Sequence, residues 1–298
     1  MKSLFLAVIT IAATMSASCT GNDGNLIWSM INVNYSSQQA DAHLLQFPEG
    51  RTIMIDVGHS STAETALIPY LEQHGIRTID TIFITHPHKD HYGGLDAIMM
   101  HGIRIKQIFF NLPDRNVCDR ERPWGCDYSD VVAMREKLVK YGAQLKAATP
   151  GLHFDLGSNM AMDVLYAFDA VHTPVGVTGI NDMSLVMMLR VHGKKILFTG
   201  DLNRLIGGWL ATHANDLAAD ILKVPHHGTE STVPNSFFEA VRARFALVPA
   251  PLFLWQSDRS KRIREWFMQH NVPVYVNGER GTVQVIVDSH DMKIITEK

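Results

Sequence analysis

The sequence predicts an α/β domain of two mixed β-sheets flanked by helices. Strand-like and helix-like segments alternate through both halves of the chain, and no linker or low-complexity tract separates the halves. Polar residues collect where the strands end. With 298 residues, 46% of them hydrophobic, the chain is long enough to bury one large core or two modest ones.

The first half is predicted to contain five strands and three helices. β-Branched and aromatic runs between turn residues place the strands, and apolar residues at helical spacing place the helices. The predicted strands are residues 26–33, 42–47, 51–57, 79–85 and 103–110, and the predicted helices are residues 62–74, 95–100 and 129–141. The polar segment 111–128 is predicted to be an insertion loop.

The second half repeats this alternation. A tight hairpin at His192-Gly193-Lys194 joins two of its strands. The predicted strands are residues 162–168, 184–191, 195–199, 220–224, 246–249, 274–276 and 282–287, and the predicted helices are residues 205–213, 236–244 and 259–270.

Residues 1–25 are predicted to be a targeting segment and linker, which leaves residues 26–298 for the folded domain. Lys2 gives a short positive region, and residues 4–15 are apolar but shorter than the roughly 20 residues that span a bilayer. Small residues precede Cys19, which resembles a bacterial lipoprotein signal in which that cysteine is lipidated. A plain secretory signal cut near Ala17 is the alternative. We expect an exported protein, either periplasmic or held at a membrane only by a lipid anchor at Cys19.

Cys118 and Cys126 are the other two cysteines, and both fall in the predicted insertion loop. In an oxidising compartment they would form a disulfide that staples this loop, and free thiols are the alternative. Their spacing does not resemble a zinc knuckle, so we do not assign them as metal ligands.

Residues 85–94 carry a high density of metal-ligating side chains. Directly after an apolar strand, three imidazoles and one carboxylate lie within six residues: His86, His88, Asp90 and His91. His86 and His88 can point the same way in an extended turn and hold one ion, while Asp90 and His91 can reach a second ion beside it. These donors suit Zn²⁺, Mn²⁺ or Fe. A His-rich solvated turn is the alternative, but this spacing is a much tighter constraint than a lone histidine.

Two later loops offer further ligands just after strands. Asp201 follows a hydrophobic strand, where Gly200 allows close backbone approach and the carboxylate can bridge two ions. An ordinary turn aspartate is the alternative. Of His226 and His227, one ring is expected to bind metal, with His227 preferred, and the other to pack or to contact substrate. The sequence does not separate the two.

These motifs together resemble the metallo-β-lactamase superfamily over residues 26–288. The resemblance is sharper to the ComEC-like hydrolase domains and their free-standing relatives, whose pattern is N-D-x-S-L-V, then L-x-T-G-D, then K-V-x-H-H-G-S. This chain has N-D-M-S-L-V at 181–186, L-F-T-G-D at 197–201 and K-V-P-H-H-G at 223–228. The resemblance implies an αββα sandwich with two divalent metal ions, Zn or Mn, at one edge of the sheets.

Only some of the family's site residues have a match in this sequence. The motif matches residue by residue at five positions: His86, His88, Asp90, His91 and Asp201. The superfamily's third histidine for the first metal has no match in the motif; His172 is the nearest candidate, with Asn181, Asp182 or water as alternatives. The relatives usually carry Gly-Gln-Gly-Asp where this chain has Ser-Gln-Gln-Ala-Asp at 37–41, and they tend to have a histidine in the loop at 249–260, which here has none. We therefore expect the metal centre to be kept and the substrate pocket to differ.

The resemblance implies a metal-dependent hydrolase. Two ions about 3.5–4 Å apart can share a water, lower its pKa towards neutrality and stabilise charge developing on a carbonyl or phosphoryl oxygen. A carboxylate such as Asp90 or Asp201 can orient the bridging hydroxide or accept its proton. We assign catalysis to Asp90 and His227.

Phosphodiesters are the expected substrates, because the ComEC-like relatives point to nuclease or phosphodiesterase chemistry. The substrate is then a small molecule or a phosphodiester, with nucleic acid as one candidate, although a net charge of −3 argues against a strongly basic surface. A β-lactamase is disfavoured, since the best-known zinc β-lactamases place a cysteine, or nothing, where this chain has Asp201. The alternatives are hydrolysis of a non-phosphate ester, thioester or lactone, and a non-catalytic metal-binding surface lipoprotein. Arg259, Lys261 and Arg262 either meet phosphate or form a solvated helix face, and no protein partner is predicted.

Overall fold

The computed structural model describes residues 24–34, 38–123, 125–157, 159–168 and 173–298. Two β-sheets lie face to face, and helices cover the outer face of each. This αββα arrangement confirms the predicted fold class. The predicted leader up to residue 23, with Cys19, lies outside the described residues, and so does His172. Among the described residues, no helix combines the length and the apolar character needed to cross a bilayer.

The first sheet contains eight strands within the described residues. In chain order, β1 to β6 and then β14 and β15 are Leu26–Met30, Ala42–Gln46, Thr52–Val57, Thr78–Ile84, Arg104–Phe110, Gln144–Lys146, Val283–Val287 and Met292–Thr296. Their spatial order is β15-β14-β1-β2-β3-β4-β5-β6. Strands β3 to β6 are parallel, and the remaining neighbours are antiparallel.

The second sheet contains seven strands within the same part of the chain. In chain order, β7 to β13 are His153–Gly157, Met160–Tyr166, Val186–Val191, Lys194–Phe198, Ile221–Lys223, Phe245–Val248 and Val274–Val276. Their spatial order is β13-β12-β11-β10-β9-β8-β7. Strands β10 to β13 are parallel, so each sheet joins a parallel half to an antiparallel half.

The helices divide between the two halves of the chain. In the first half, α1 to α6 are Ser60–Thr62, Ile68–Gln73, Lys89–Tyr92, Leu95–Met100, Arg115–Asp119 and Tyr128–Tyr141, and a π-helical turn at Ala63–Leu67 joins the first two. In the second half, α7 to α11 are Arg204–His213, Asn235–Val241, Leu252–Gln256, Lys261–Gln269 and Asn277–Arg280. Short 3-10 turns occupy Ile180–Met183, Pro225–Gly228 and Asp258–Ser260.

The central strands are apolar at nearly every position because they serve two cores. In β4, Ile82 and Ile84 pack towards the helices, and Phe83 faces the other sheet. In β10, Leu197 packs towards the helices and Phe198 lies between the sheets. Successive side chains of a strand point to opposite faces, so a four-layer sandwich requires unbroken apolar runs in its central strands.

The prediction missed several short peripheral elements, namely β6, β7, β15, α5, α9 and α11. The prediction of residues 111–128 as a plain loop was wrong in part, because α5 forms within it and the Asp114 side chain caps its first turn. Cys118 and Cys126 form a disulfide there, so the disulfide alternative is the observed one. Edge strands and single-turn helices depend on their neighbours more than on their own propensities, which is why periodicity did not find them.

Candidate metal centre

Three loops that follow β4, β10 and β11 meet at one edge of the two sheets. Strand β4 belongs to the first sheet, and β10 and β11 lie side by side and parallel in the second. A hydrogen bond of 2.9 Å from the backbone N–H of Leu185 to the carbonyl of Thr85 joins the sheets at this edge. The fold therefore gathers ligand-bearing loops that are far apart in the sequence.

Four side chains bring their ligand atoms within 4.8 Å of one another: Asp90, His91, Asp201 and His227. Nε2 of His227 lies 3.1 Å from Oδ2 of Asp201 and 3.4 Å from Oδ2 of Asp90. Nε2 of His91 lies 3.3 Å from the same Asp201 oxygen. Of the two adjacent histidines, His227 belongs to this group.

The far nitrogen of each imidazole in this group is fixed by a hydrogen bond. Nδ1 of His91 lies 2.8 Å from Oδ2 of Asp56, and Nδ1 of His227 donates to the carbonyl of Pro249 at 2.8 Å. Both Nε2 atoms are buried and have no hydrogen-bond partner among the described residues. Metal-binding histidines show this arrangement, in which an outer partner holds one ring nitrogen and the other faces the ion. The group therefore fits a divalent cation.

His86 and His88 form a second pair of converging donors. Nε2 of His86 lies 3.1 Å from Nδ1 of His88. Two imidazole nitrogens about 2.0–2.1 Å from one tetrahedral ion lie roughly 3.3 Å apart, so this spacing also fits a metal. Nδ1 of His86 is within reach of the Thr85 and Ser184 hydroxyls, at 3.1 and 3.3 Å.

Burial and the local charges set the protonation of these groups. Burial opposes the charged form of His227, but the carboxylate of Asp201 outweighs it and raises the pKa of His227 to about 10. Burial would raise the pKa of Asp90, but the positive charge of His91 lowers it to about 2. Burial and the neighbouring imidazoles hold the pKa of His86 well below its usual range. His86 is therefore neutral at pH 7 and Asp90 is ionised, which are the ligand forms of both.

The turn that carries His226 and His227 is strained. Both residues have left-handed backbone angles, with φ of 48° and 51°, which cost on the order of 1–3 kcal/mol each. Gly200 in the facing loop also has a positive φ, and a Cβ there would lie 2.6 Å from the Ser184 hydroxyl oxygen. The side chain of Ser184 therefore packs against the backbone of Gly200 where any larger residue would place its Cβ.

His226, Asn181 and Asp182 lie outside the group of four converging side chains. Nδ1 of His226 lies 2.7 Å from the Asn203 side-chain oxygen, and its Nε2 lies 3.4 Å from Nδ2 of Asn181, outside the converging group. Oδ1 of Asn181 is buried without a hydrogen-bond partner among the described residues, and the residue lines the cleft over the site. Asp182 is engaged elsewhere, since it accepts a hydrogen bond of 2.9 Å from the backbone N–H of Asn203 at the start of α7. Of the alternatives to His172, Asn181 faces the cleft.

A cleft of about 500 Å³ opens over the ligand group. Besides the ligands, it is lined by Gln38, Gln39, His59, Lys89, Pro123, Gly125, Asn181 and His226. Residues 249–260, where relatives tend to carry a histidine, fold into α9, and the ring of Trp255 packs on Gly228. Lys261 is exposed and lies 3.9 Å from Glu265, which fits the solvated helix face. Arg262 fits neither interpretation, because it is part-buried and donates to the carbonyls of Thr232 and Val233 at 3.2 and 2.8 Å.

Four charged residues of the site were not assigned from the sequence: Asp41, Asp56, Glu121 and Lys223. Asp56 holds His91, Glu121 contacts His88, and Lys223 forms a buried ion pair with Asp41. For Asp41 the sequence did contain a signal, because this residue stands in the stretch where relatives carry Gly-Gln-Gly-Asp. The others act through residues distant in sequence, which no local pattern reveals.

The fold and the site are of the kind expected for a metal-dependent hydrolase. Residues 37–102 match the family model of the metallo-β-lactamase superfamily. This confirms the resemblance seen in the sequence motifs.

The curated relatives include bacterial competence proteins and eukaryotic nucleases. ComE operon protein 3 of Bacillus subtilis is 25% identical over 89% of this chain and 33% of its own length. The endoribonuclease ysh1 of Schizosaccharomyces pombe is 26% identical over 54% of this chain and 20% of its own length. The chain thus spans about a third or less of these relatives. Igni18, a metallo hydrolase of Ignicoccus hospitalis, is a similar solved structure with 13% identity, a TM-score of 0.45, and coverage of 91% of this chain and 100% of that one.

Proposed function

We propose that this protein hydrolyses phosphodiesters with two divalent cations held between its two sheets. The observation that carries the proposal is the convergence of the Nε2 atoms of His91 and His227 on the carboxylate of Asp201. Neither atom has a hydrogen-bond partner in the part of the chain that the structure describes. Asp90, His91 and His227 would hold one ion, His86 and His88 would hold the other, and Asp201 would bridge them. The ions, when bound, would supply Lewis acidity that activates water and neutralises charge on a phosphoryl oxygen.

The protein groups around this centre fix the orientation of its imidazoles. Asp56 accepts from Nδ1 of His91 and also from the backbone N–H and the hydroxyl of Thr85, each at 2.8 Å. The carbonyl of Pro249 holds the proton of His227 on Nδ1. Both rings therefore direct Nε2 at the centre. A bound ion would replace the second proton that the buried carboxylates keep on each ring in the metal-free protein.

Asp90 is placed to manage the proton of an attacking water. It is part-exposed at the floor of the cleft, whereas Asp201 and the imidazoles of His91 and His227 are buried. Because its pKa is lowered to about 2, the carboxylate is ionised at neutral pH and can orient a water by accepting its hydrogen bond.

The substrate class is supported by both the relatives and the cleft. The curated relatives include a protein named as an endoribonuclease, and cleavage of RNA is phosphodiester chemistry. Lys89 lines the cleft with its ammonium 2.7 Å from the carboxylate of Asp130, and Asn181 and His226 add polar groups there. These groups suit the anionic oxygens of a phosphodiester better than they suit an uncharged lactone.

Export of the protein is a further part of the proposal. The Cys118–Cys126 disulfide is of the kind that persists in oxidising compartments, which fits the leader predicted for residues 1–25. A periplasmic protein, or one anchored by lipid at Cys19, would meet phosphodiesters outside the cytoplasm. Mass spectrometry of the protein from a membrane fraction tests this point, since lipidation adds a diacylglyceryl mass to Cys19 and plain cleavage near Ala17 does not.

Hydrolysis is tested with purified protein freed of metal and then supplied with Zn²⁺ or Mn²⁺. The substrates are bis-p-nitrophenyl phosphate, single-stranded DNA and a panel of lactones. We expect metal-dependent turnover of the phosphodiesters that Asp90→Ala abolishes and that Asp96→Ala, an exposed aspartate in α4, leaves intact. Turnover of lactones alone would replace the proposed substrate class, and full activity of Asp90→Ala would remove the proposed mechanism.

A further inference from the structure

A turn closed by the Cys118–Cys126 disulfide places Glu121 against His88. Cys118 in α5 is bonded to Cys126, and both cysteines are buried. Within the segment, the backbone N–H of Glu121 donates to the carbonyl of Cys118 at 3.0 Å, and that of Gly125 donates to the carbonyl of Glu121 at 2.9 Å. The turn is therefore closed both covalently and by hydrogen bonds, and its conformation directs the side chain of Glu121.

The Glu121 carboxylate is held on both of its oxygens. Oε1 accepts from the backbone N–H of Ile180 at 3.1 Å, and Oε2 lies 2.7 Å from Nε2 of His88. The backbone of Gly125 packs closely against one side of the carboxylate, since a Cβ added there would lie 2.6 Å from Oε2. Glu121 thus has little freedom to leave His88.

This contact determines which nitrogen of His88 is free. A carboxylate only accepts hydrogen bonds, so Nε2 of His88 must carry the proton that it donates to Glu121. Nδ1 is then the unprotonated nitrogen, and it is the atom that lies 3.1 Å from Nε2 of His86. A carboxylate behind a ligating imidazole also raises its basicity.

We infer that Glu121 is a positioning residue for the first metal position, held in place by the Cys118–Cys126 disulfide. The inference rests on the proposed function, because it concerns the ion assigned to His86 and His88. The family's third histidine ligand for this ion has no match in the motif. The affinity for the ion therefore depends more strongly on the orientation of His88. Glu121 does not contact the ion in this arrangement; it acts through His88.

Two readouts test the inference without measuring turnover. In the metal-free protein, ¹⁵N NMR of the imidazoles reports the tautomer of His88. In metal-loaded protein, equilibrium dialysis over a range of free Zn²⁺ followed by elemental analysis gives the number of ions and their affinities. The variants are Glu121→Ala, Glu121→Gln and the pair Cys118→Ser/Cys126→Ser. The matched control is Glu64→Ala, because Oε2 of Glu64 contacts Nε2 of His101 at 2.9 Å away from the site.

We expect wild type and Glu64→Ala to bind two ions, and the metal-free wild type to hold the His88 proton on Nε2. Glu121→Ala should lower the affinity for one ion by about 10- to 100-fold and leave the affinity for the other unchanged. In the metal-free variant, both tautomers of His88 should be populated. Glu121→Gln keeps an acceptor oxygen but loses the charge, so it should fall between wild type and Glu121→Ala, and the double cysteine variant should resemble Glu121→Ala.

Each contrary result has a separate meaning. Two ions of unchanged affinity in a folded Glu121→Ala protein, with the His88 proton still on Nε2, would overturn the inference and leave the proposed function standing. If Glu121→Ala does not fold, unchanged affinity and tautomer in the isosteric Glu121→Gln overturn it instead. A wild-type chain that binds fewer than two ions would overturn the proposed function, and the inference with it.

Discussion

Lys223 and Asp41 form an ion pair that is buried from solvent at the edge where the two sheets meet. Lys223 ends β11 in the second sheet, and Asp41 precedes β2 in the first. The ammonium also donates to the carbonyl of Gly200 at 2.8 Å and lies 3.7 Å from Oδ1 of Asp201. A fixed positive charge therefore lies behind the carboxylate of Asp201 and fastens its loop to the first sheet.

Removing this ammonium should destabilise the protein strongly. Lys223→Met leaves the buried carboxylate of Asp41 with only the imidazoles of His43 and His91 beside it, at 3.3 and 3.9 Å. Breaking a buried ion pair by removing one partner typically costs about 3–5 kcal/mol. Urea unfolding measures the loss. The control is Lys195→Met, whose ammonium pairs with the part-exposed Asp216 at 2.7 Å and should cost about 1 kcal/mol or less. Equal losses in the two variants would contradict the importance of the buried pair.

Gly200→Ala should lower the free energy of unfolding by more than the backbone angle of Gly200 explains. The φ of Gly200 is 50°, and a left-handed angle costs an alanine about 1–2 kcal/mol. The clash with Ser184 should add roughly 1–3 kcal/mol. Gly193→Ala is the matched control, because Gly193 has a φ of 78° and no atom within 4 Å of the added Cβ. Unfolding free energies that agree for the two variants would show that the loop yields to the methyl group.

Asp56→Asn should weaken metal binding without unfolding the protein. An asparagine keeps the size but loses the charge that accepts from His91 and Thr85, so we expect about 10- to 100-fold lower affinity for the ion at His91. Competition with a chromophoric zinc chelator measures it. Asp163→Asn is the control, since Asp163 contacts Nδ1 of His153 at 2.7 Å on the surface and should bind zinc like wild type.

Removing metal should lower the melting temperature. A ligand that binds only the folded state adds about 2.7 kcal/mol when its free concentration is 100 times its Kd. Thermal unfolding with and without a chelator tests this in wild type and in His227→Ala. The variant has lost a buried donor of the converging group, so its melting temperature should respond less to the chelator. An equal response in both proteins would place the stabilising ion elsewhere.

Acid should weaken the ion pair between Lys195 and Asp216. The hydrogen bond from Lys195 lowers the pKa of Asp216 below its usual 3.8, against the opposing effect of burial. A lowered folded-state pKa contributes stability above the unfolded-state value, and this contribution is lost as the pH falls through the folded-state value. From about pH 4 downwards, wild type should therefore lose more stability than Lys195→Met, by less than about 1 kcal/mol because the pair is part-exposed. Urea unfolding at pH 6 and pH 3 measures the difference, and parallel losses would contradict it.

The sequence by itself determined the four layers and the main ligand cluster. The apolar runs of β4 and β10 require burial on both faces, and the His86–His91 segment has a ligand spacing that is hard to satisfy otherwise. Both signals are local, because strand periodicity and turn spacing depend on residues close together in the chain.

Only the tertiary structure decided how this site is supported. It brought His227 rather than His226 into the ligand group, placed Lys223 against Asp41 and set Glu121 behind His88. Each of these outcomes depends on charges and hydrogen bonds between residues far apart in the sequence. Their strength depends on burial, and burial is a property of the packed sheets and loops and not of any single segment.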